Sequence, residues 1–219
     1  LGVVPINWPY PISTGFIAMK TKLTLFVSVL AVALFGMGCA SSLKEGLVYQ
    51  YSFDRGAVVS EKDSVSVDVK ELPDGNEPRT FSIWVKSEKT YTHYVMIARF
   101  DTGNIDGTGK HFGFSYRNTV WGWTHRDDLQ SNTQLPSEQK THMVLVYNGE
   151  NLQIFLDGEL KGGKKVALQT NPAKGIVLGG STSQHKPFVG SIDDVRIYNR
   201  ALSAEEVKAL YELEKPKAQ

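Results

Sequence analysis

Apolar and polar residues alternate along much of the chain from residue 46 onward. The run SVSVDV at Ser64–Val69 alternates at nearly every position, and Arg79–Ser87 does so over a longer stretch. Successive side chains of a strand point to opposite faces, so this alternation predicts strands with one buried and one polar face. Roughly eleven to thirteen short segments of this kind follow one another, separated by turn residues.

Two dipeptides join neighbouring alternating segments. Asn148-Gly149 and Asp157-Gly158 are typical of tight β-hairpins, because both tolerate the positive φ that such turns require. The segments on either side of these turns therefore form a predicted meander. Many short strands and a single predicted helix indicate an all-β fold, an antiparallel two-sheet sandwich.

The last predicted strand leads directly into the predicted helix. Gly190–Tyr198 is rich in β-branched and aromatic residues, as expected of a buried strand. Ser203 can cap the helix and Glu206 can bind back to the Ser203 N–H, which together make a capping box. Leu202 and Val207 are spaced for a hydrophobic staple. We predict a short C-terminal helix whose apolar side packs on the sandwich.

The stretch from Gly190 to Tyr211 resembles a C-terminal signature of the LamG-like jellyroll domains, members of the concanavalin A-like lectin/glucanase superfamily. That signature has the form G-x-I-D-D-V-R-I-Y-x-R-A-L-S, and this sequence matches it throughout. Four further segments are similar to the family: GLVYQYSFD at Gly46–Asp54, PRTFSIWVKS at Pro78–Ser87, HMVLVYNGENLQIFLDG at His142–Gly158, and IVLGGS at Ile176–Ser181. The resemblance implies one jellyroll domain over residues 46–214, followed by a tail at 215–219.

The N-terminal segment has the pattern of an export signal. Residues 1–18 contain several prolines and no clear period, and we interpret them as a mis-assigned extension before a true start at Met19. Lys20 and Lys22 precede the apolar run Leu23–Leu34, the order found in secretory signal peptides. The apolar stretch is shorter than the ~20 residues of a membrane-spanning helix. We predict a signal peptide over residues 19–38.

Cys39 stands where a bacterial lipoprotein carries its lipidated cysteine. The sequence GCAS around it resembles a lipobox, in which the cysteine becomes the mature N-terminus. We predict lipidation of Cys39 and a tether over residues 39–45. The domain would then be lipid-anchored at the cell envelope, facing the periplasm or the cell surface. The alternative is cleavage by ordinary signal peptidase, with Cys39 left unmodified.

The charge balance argues against a general nucleic-acid-binding surface. The 219 residues carry 24 Lys and Arg against 23 Asp and Glu, a net charge of +1. Without Lys20 and Lys22 of the predicted signal, 22 basic residues face 23 acidic ones, a net charge of −1. Neither value attracts polyanions over the whole surface. The single cysteine excludes an internal disulfide and a cysteine zinc cluster.

No motif for glycoside hydrolysis is present. This reaction needs two carboxylates that flank the scissile bond. Resemblance to laminarinase-type enzymes of the superfamily would imply them on one strand as E-x-D-x-x-E, a string that does not occur here. Adjacent residues of a strand point to opposite faces, so neighbouring acidic residues do not form such a pair. We therefore predict no catalytic residues; the acidic pairs are Asp127-Asp128, Asp193-Asp194 and Glu205-Glu206.

Asp193 and Asp194 lie inside an otherwise apolar predicted strand. Burying carboxylates is costly unless they are paired, hydrogen-bonded or bound to a metal. The interpretation we favour is an ion pair, and the candidate partners are Arg79, Arg196 and Arg200. The alternative is Ca²⁺, which takes oxygen ligands, and resemblance to calcium-binding relatives implies Asp54 as a further ligand.

Trp121 and Trp123 are the strongest indication of a ligand site. They lie two residues apart, so on a strand both rings face the same side. Sugar rings can stack their C–H faces on flat aromatic side chains while polar groups bind the hydroxyls. The residues predicted to complete such a site are Arg99, Tyr116, Arg117, His125, Arg126 and Asp127. The alternative is that one of the two tryptophans belongs to the core, where we place Trp84.

These features favour a non-enzymatic, membrane-anchored binding or adhesion module whose ligand is a glycan or a protein partner. One alternative is a glycoside hydrolase of the same superfamily, and the missing carboxylate motif argues against it. Another is a structural envelope lipoprotein without a small ligand.

Overall fold

The residues that the structure describes form fourteen strands and a C-terminal helix. The computed structural model describes residues 42–52, 57–60, 64–103, 110–124, 126–182 and 185–216, without the side chains of residues 57 and 58. The elements are β1 (Leu47–Tyr51), β2 (Ala57–Val59), β3 (Ser64–Asp68), β4 (Arg79–Ser87), β5 (Val95–Phe100), β6 (Gly113–Arg117), β7 (Thr119–Trp123), β8 (Leu129–Gln130), β9 (Lys140–Tyr147), β10 (Asn151–Leu156), β11 (Glu159–Lys165), β12 (Gly175–Gly179), β13 (Lys186–Pro187), β14 (Gly190–Tyr198) and α1 (Ala204–Glu214).

The strands form two sheets of seven strands each. Sheet A has the order β1-β14-β4-β9-β10-β11, with β2 also paired to β14. Sheet B has the order β3-β12-β5-β6-β7-β8, with β13 also paired to β5. The pairings along both paths are antiparallel, whereas β13 runs parallel to β5. The predicted all-β, antiparallel two-sheet jellyroll sandwich with a short C-terminal helix is confirmed.

The main core lies between the two sheets. Phe81, Ile83 and Val85 of β4 point into it, as their alternation predicts. The Phe81 ring meets Phe100 and Phe114 of sheet B, each at a centroid distance of 5.4 Å. The interior-facing residues of sheet A thus pack directly on those of sheet B, which holds the layers together through apolar burial.

The outer face of sheet A carries a second apolar cluster beneath α1. Val207 and Leu210 of α1 are fully buried against Val144 and Val146 of β9 and Phe155 of β10. The helix buries its apolar side in this way and leaves its other side to solvent. Within the described ranges no helix is long and apolar enough to cross a membrane.

The start of α1 is fixed by the predicted capping box and by an arginine. Ser203 Oγ accepts from the Glu206 N–H at 3.2 Å, and Glu206 Oε2 accepts from the Ser203 N–H at 2.9 Å. The Arg200 guanidinium donates to both Glu206 oxygens, at 2.8 and 2.9 Å. It also donates to the carbonyl oxygens of Ser42 and Glu45, so one side chain joins the N-terminal segment to the helix.

Trp84 is buried, as predicted, but it lies outside the space between the two sheets. It sits on the outer face of sheet A beneath the end of α1, where its ring stacks on His142 at 5.1 Å and on Tyr211 at 5.8 Å. Its indole N–H donates to Glu214 Oε2 at 3.0 Å. Trp84 alternates with the inward-facing apolar residues of β4, so it points to the outer face of sheet A. An apolar residue is buried on that face because α1 covers it.

Arg79 is fully buried and has no contact with Asp193. It donates to the carbonyl oxygens of Pro73, at 2.7 Å, and Gly75, at 2.8 Å, and to Thr170 Oγ1 at 2.7 Å. Burial lowers the pKa of Arg79 to about 10, which still leaves it charged at neutral pH. The guanidinium therefore organises the loop before β4 rather than neutralising the acidic pair of β14.

We expect Glu206→Gln to lower the free energy of unfolding at pH 7 by about 1–2 kcal/mol, because it weakens the cap and the Arg200 ion pair. Arg200 holds the pKa of Glu206 at about 2 in the folded protein, against an ordinary 4.5. The stabilisation is therefore complete above pH 4.5 and is lost as the pH falls from 4.5 towards 2. Urea titrations at several pH values measure the difference.

The matched control is Glu212→Gln on the same helix, whose exposed carboxylate pairs with Lys215. It should change the unfolding free energy by less than about 0.5 kcal/mol. A Glu206→Gln effect that stays constant between pH 5 and pH 2.5 would contradict the assigned ion pair.

We expect Gly113→Ala on β6 to destabilise sheet B. A Cβ at this position would lie 2.3 Å from the carbonyl oxygen of Ala98 and 2.7 Å from Arg99 Cα. β5 has little room to move away, because β12 pairs with its other edge. Such overpacking costs about 1–3 kcal/mol, measured by urea unfolding. Gly163→Ala on β11 is the control, since its nearest neighbours lie at 3.7 Å; equal losses in both variants would contradict the steric argument.

Candidate functional site

The outer face of sheet B presents both predicted tryptophans. Val120 of β7 belongs to the core, and a Cβ on Gly122 would lie 2.5 Å from Leu145 Cδ1 of the opposite sheet. Residues 120 and 122 therefore face inward. Trp121 and Trp123, which alternate with them, face outward on the same side, as predicted.

Neighbouring strands and the segment before β13 bring further rings to the same side. Trp121 lies opposite Ser115 and Trp123 opposite Gly113, so small residues of β6 leave space beside both indoles. We call the resulting surface the aromatic face, and its members are Tyr94, His111, Arg117, Trp121, Trp123 and His185.

One half of the aromatic face is closely packed. The Trp123 ring lies nearly parallel to His111 at 4.4 Å and meets the edge of His185 at 4.8 Å. Trp123 is 3% exposed, and His185 is also buried. Burial lowers the pKa of His185 to about 4, so its imidazole is neutral at pH 7. This half therefore presents closely packed, buried rings rather than an open surface.

The other half is open to solvent. Trp121 and Tyr94 are half-buried, and their rings meet edge to face at 5.8 Å. The exposed Arg117 places its Cζ 4.9 Å from the Tyr94 ring centroid. The Trp121 indole N–H is itself buried and has no hydrogen-bond acceptor among the residues that the structure describes. A ligand at this end would therefore meet aromatic surface and a guanidinium together.

Arg99 and Asp101 lie at the closed end of the aromatic face. Arg99 of β5 pairs with Gly113 of β6, and Gly113 pairs in turn with Trp123 of β7. Trp121 lies two positions before Trp123 on the same strand. It is buried, and its Nη1 lies 3.2 Å from Asp101 Oδ1. Arg99 is thus near the tryptophans, as predicted, but its charge is already matched. Asp101 was not among the predicted site residues.

The structure separates Tyr116 from the other predicted residues. Tyr116 pairs with Val120 and lies in the core between the sheets, 2% exposed, with its ring against Tyr91. It points away from Trp121, so placing it in a shared site was wrong. Asp127 is half-buried in the segment between β7 and β8. His125 lies outside the described residues.

Tyr94 and His185 are members of the face that the sequence did not indicate. Tyr94 immediately precedes β5, and His185 immediately precedes β13. Each residue therefore lies just outside an alternating run, so the alternation does not predict which way its side chain points. Only the pairing of β13 with β5 brings the two rings within 5.6 Å.

The acidic pair of β14 contacts a lysine. Lys140 Nζ lies 3.2 Å from Asp193 Oδ2, and Asp193 Oδ1 accepts from the Asp194 N–H at 2.9 Å. The prediction of an ion pair is therefore confirmed for Asp193, but its partner is Lys140. Of the predicted partners, Arg196 pairs with Glu214 and Arg200 with Glu206.

Asp194 occupies a β-bulge between β14 and β4, with φ of 43°. The bulge turns Asp194 out of the regular alternation, so the two carboxylates are not equivalent. The described part of the chain contains no group of three His, Cys, Asp or Glu side chains that could hold a metal ion. Asp54 lies outside the described residues, and calcium bound by Asp54, Asp193 and Asp194 stays a prediction.

Residues 59–208 match the family model of the concanavalin A-like lectin/glucanases superfamily. The chain belongs to this superfamily. The resemblance to the superfamily noted in the sequence is thereby confirmed. No curated protein matches the sequence.

Solved structures share the superfamily fold at low sequence identity. Domain 4 of AbnA, a GH43 extracellular arabinanase from Geobacillus stearothermophilus solved with arabinotriose, is 19% identical with a TM-score of 0.54, over 75% of this chain and 98% of that one. The CBM40 of Ruminococcus gnavus IT-sialidase bound to α2,3-sialyllactose is 20% identical with a TM-score of 0.58, over 76% and 99%. The binding domain of Paraclostridial Mosquitocidal Protein 1 is 15% identical with a TM-score of 0.61, over 77% and 52%.

We expect EDTA to leave the melting temperature unchanged, because Lys140 already neutralises Asp193. A calcium site at 100 times its dissociation constant would instead stabilise the fold by about 2.7 kcal/mol, a shift of several degrees. Thermal melts in EDTA and in millimolar Ca²⁺ distinguish the two cases, with Mg²⁺ as the control ion. A calcium-specific rise that Asp193→Asn abolishes would contradict the ion pair and establish the metal site.

Proposed function

We propose that this domain is a non-enzymatic binding module whose ligand, a glycan or a protein partner, lies on the aromatic face. The observation that carries the proposal is the asymmetry of the sandwich. α1 covers the outer face of sheet A, whereas the outer face of sheet B carries a half-open surface of aromatic side chains. Clustered, partly exposed aromatic groups on a rigid sheet are typical of ligand-binding surfaces.

The chemistry of the aromatic face favours binding over hydrolysis. Strands β5, β6, β7 and β12 contain no Asp or Glu. A glycosidase acting on this face would need two carboxylates beside the scissile bond. Of the carboxylates beside this face, that of Asp101 is engaged by Arg99, and that of Asp128 accepts from the Thr124 N–H. Trp121 and Tyr94 offer apolar ring surface for a sugar, and Arg117 offers hydrogen-bond donors.

The solved relatives give the proposal further support. Two of them are described with a bound oligosaccharide, arabinotriose or sialyllactose, and a third is described as the binding domain of a toxin. The first two are covered almost completely by this chain, at 98% and 99% of their lengths. The comparable unit in those proteins is thus a whole domain, and binding is the simplest role to propose for this one.

We further propose that lipid attached to Cys39 holds the domain at the cell envelope. This proposal rests on the sequence around Cys39, which lies outside the described residues. The described chain begins near that point: Leu43 is buried beneath α1, and Arg200 binds the carbonyl oxygen of Ser42. If Cys39 is lipidated, only a few residues separate the anchor from the packed domain.

We expect Trp121→Ala to reduce binding to a recognised glycan by roughly tenfold or more, since one stacked aromatic ring contributes ~1–3 kcal/mol. A glycan array identifies the ligand, and calorimetry measures the loss. Trp121 is half-buried, so its removal should leave the fold intact, as circular dichroism can check. The control is Tyr51→Ala, an aromatic residue 49% exposed on sheet A, which should bind normally.

The companion variant, Trp121→Ala with Trp123→Ala, should bind no better than Trp121→Ala alone. Unchanged binding in the double variant would remove the aromatic face from the proposal. Hydrolysis of any arrayed glycan, abolished by a single Asp or Glu substitution, would overturn the non-enzymatic assignment.

A further inference from the structure

The exposed arginine of the aromatic face is held in place without a counter-ion. Arg117 ends β6, and its guanidinium lies 4.9 Å from the centroid of the Tyr94 ring. A cation over an aromatic face is favourable, and it restricts the rotamers of a long side chain. Among the described residues no acceptor lies within hydrogen-bonding or ion-pairing distance of Arg117.

Four other arginines of the fold differ from Arg117 in this respect. Arg79 donates to backbone carbonyls and to Thr170, whereas Arg99, Arg196 and Arg200 form ion pairs with carboxylates, those of Asp101, Glu214 and Glu206. A guanidinium carries five donors in a planar arrangement that matches a carboxylate or sulphate. In Arg117 these donors face solvent beside Trp121, and they remain available to a ligand.

The surroundings of Arg117 carry little negative charge to oppose an anion. The central strands β5 to β7 lack carboxylates, and Lys186 of β13 is exposed where that strand pairs with β5. The Lys186 N–H donates to the Tyr94 carbonyl oxygen, which fixes the backbone of β13 beside Tyr94. A neutral sugar does not require an unpaired guanidinium beside a stacking surface.

From this arrangement we infer that the ligand is an anionic saccharide. Its ring stacks on Trp121, and its carboxylate or sulphate group binds the Arg117 guanidinium. The inference rests on the proposed function and narrows it from glycans or proteins in general to charged glycans. A guanidinium already oriented by Tyr94 loses little freedom on binding, so the interaction contributes to affinity as well as to selectivity.

The test uses pairs of glycans that differ only in charge. Oligogalacturonate is compared with its methyl ester, and a sulphated oligosaccharide with its desulphated form, by calorimetry at low and high salt. We expect one anionic member to bind roughly tenfold or more tightly than its neutral partner. Arg117→Gln should reduce that affinity to the level of the neutral partner, and Arg117→Lys should retain part of it.

The charge-matched control is Lys165→Gln, a highly exposed residue on the edge strand of sheet A. It should change the affinity by less than about twofold, since exposed charges contribute little. The carboxylated and sulphated pairs distinguish the two anionic chemistries.

Three results would overturn the inference, and they differ in what they leave intact. If neutral members bind as tightly, or Arg117→Gln has no effect while Trp121→Ala does, charge recognition fails and glycan binding stands. If no arrayed or paired glycan binds, the inference fails together with the glycan form of the proposed function, and only a protein partner remains. If the protein instead binds vesicles containing phosphatidylglycerol in an Arg117-dependent way, the partner is an anionic lipid surface.

Discussion

The packing of α1 on the outer face of sheet A is the constraint on which the rest of the structure depends. A two-sheet sandwich has two outer faces, and each could serve as a binding surface. Here one is covered by a helix, which is anchored at its start by Arg200 and Glu206 and at its end by Glu214. Burial raises the pKa of Glu214, while Arg196 and Trp84 stabilise its charged form. The outer face of sheet B is the one that α1 leaves uncovered.

Two histidines help to hold the closed half of the aromatic face in place. His111 and His185 pack on Trp123 as flat rings, and a hydroxyl group fixes each imidazole: Thr102 for His111 and Thr182 for His185, both at 3.0 Å. The His185 ring also meets the Tyr94 ring at 5.6 Å, so the closed half contacts the open half. A surface ordered before a ligand arrives loses less entropy on binding.

Much of the site could be predicted from local sequence, and the errors have a common cause. The two-residue spacing of Trp121 and Trp123 was sufficient to place both on one face. Tyr116 was misplaced because its direction depends on the register of β6 against β7, which the tight turn at Asn118 determines. Asp193 was assigned arginine partners, two of which lie close to it in the sequence, whereas Lys140 reaches it from β9, across β4.

The sequence by itself determined the strand content, the antiparallel sandwich, the capped helix and the superfamily, because period-two alternation and capping chemistry are local properties. Tertiary structure alone decided which outer face the helix covers, which separate strands contribute rings to one surface, and which charges find partners. Those outcomes depend on strand order and register. Strands far apart in the chain can become neighbours, and the spacing of residues within each strand does not indicate which strands pair. Trp84 is an example. The alternation predicted the correct face of β4 for its side chain, but that face is buried only because α1 packs on it.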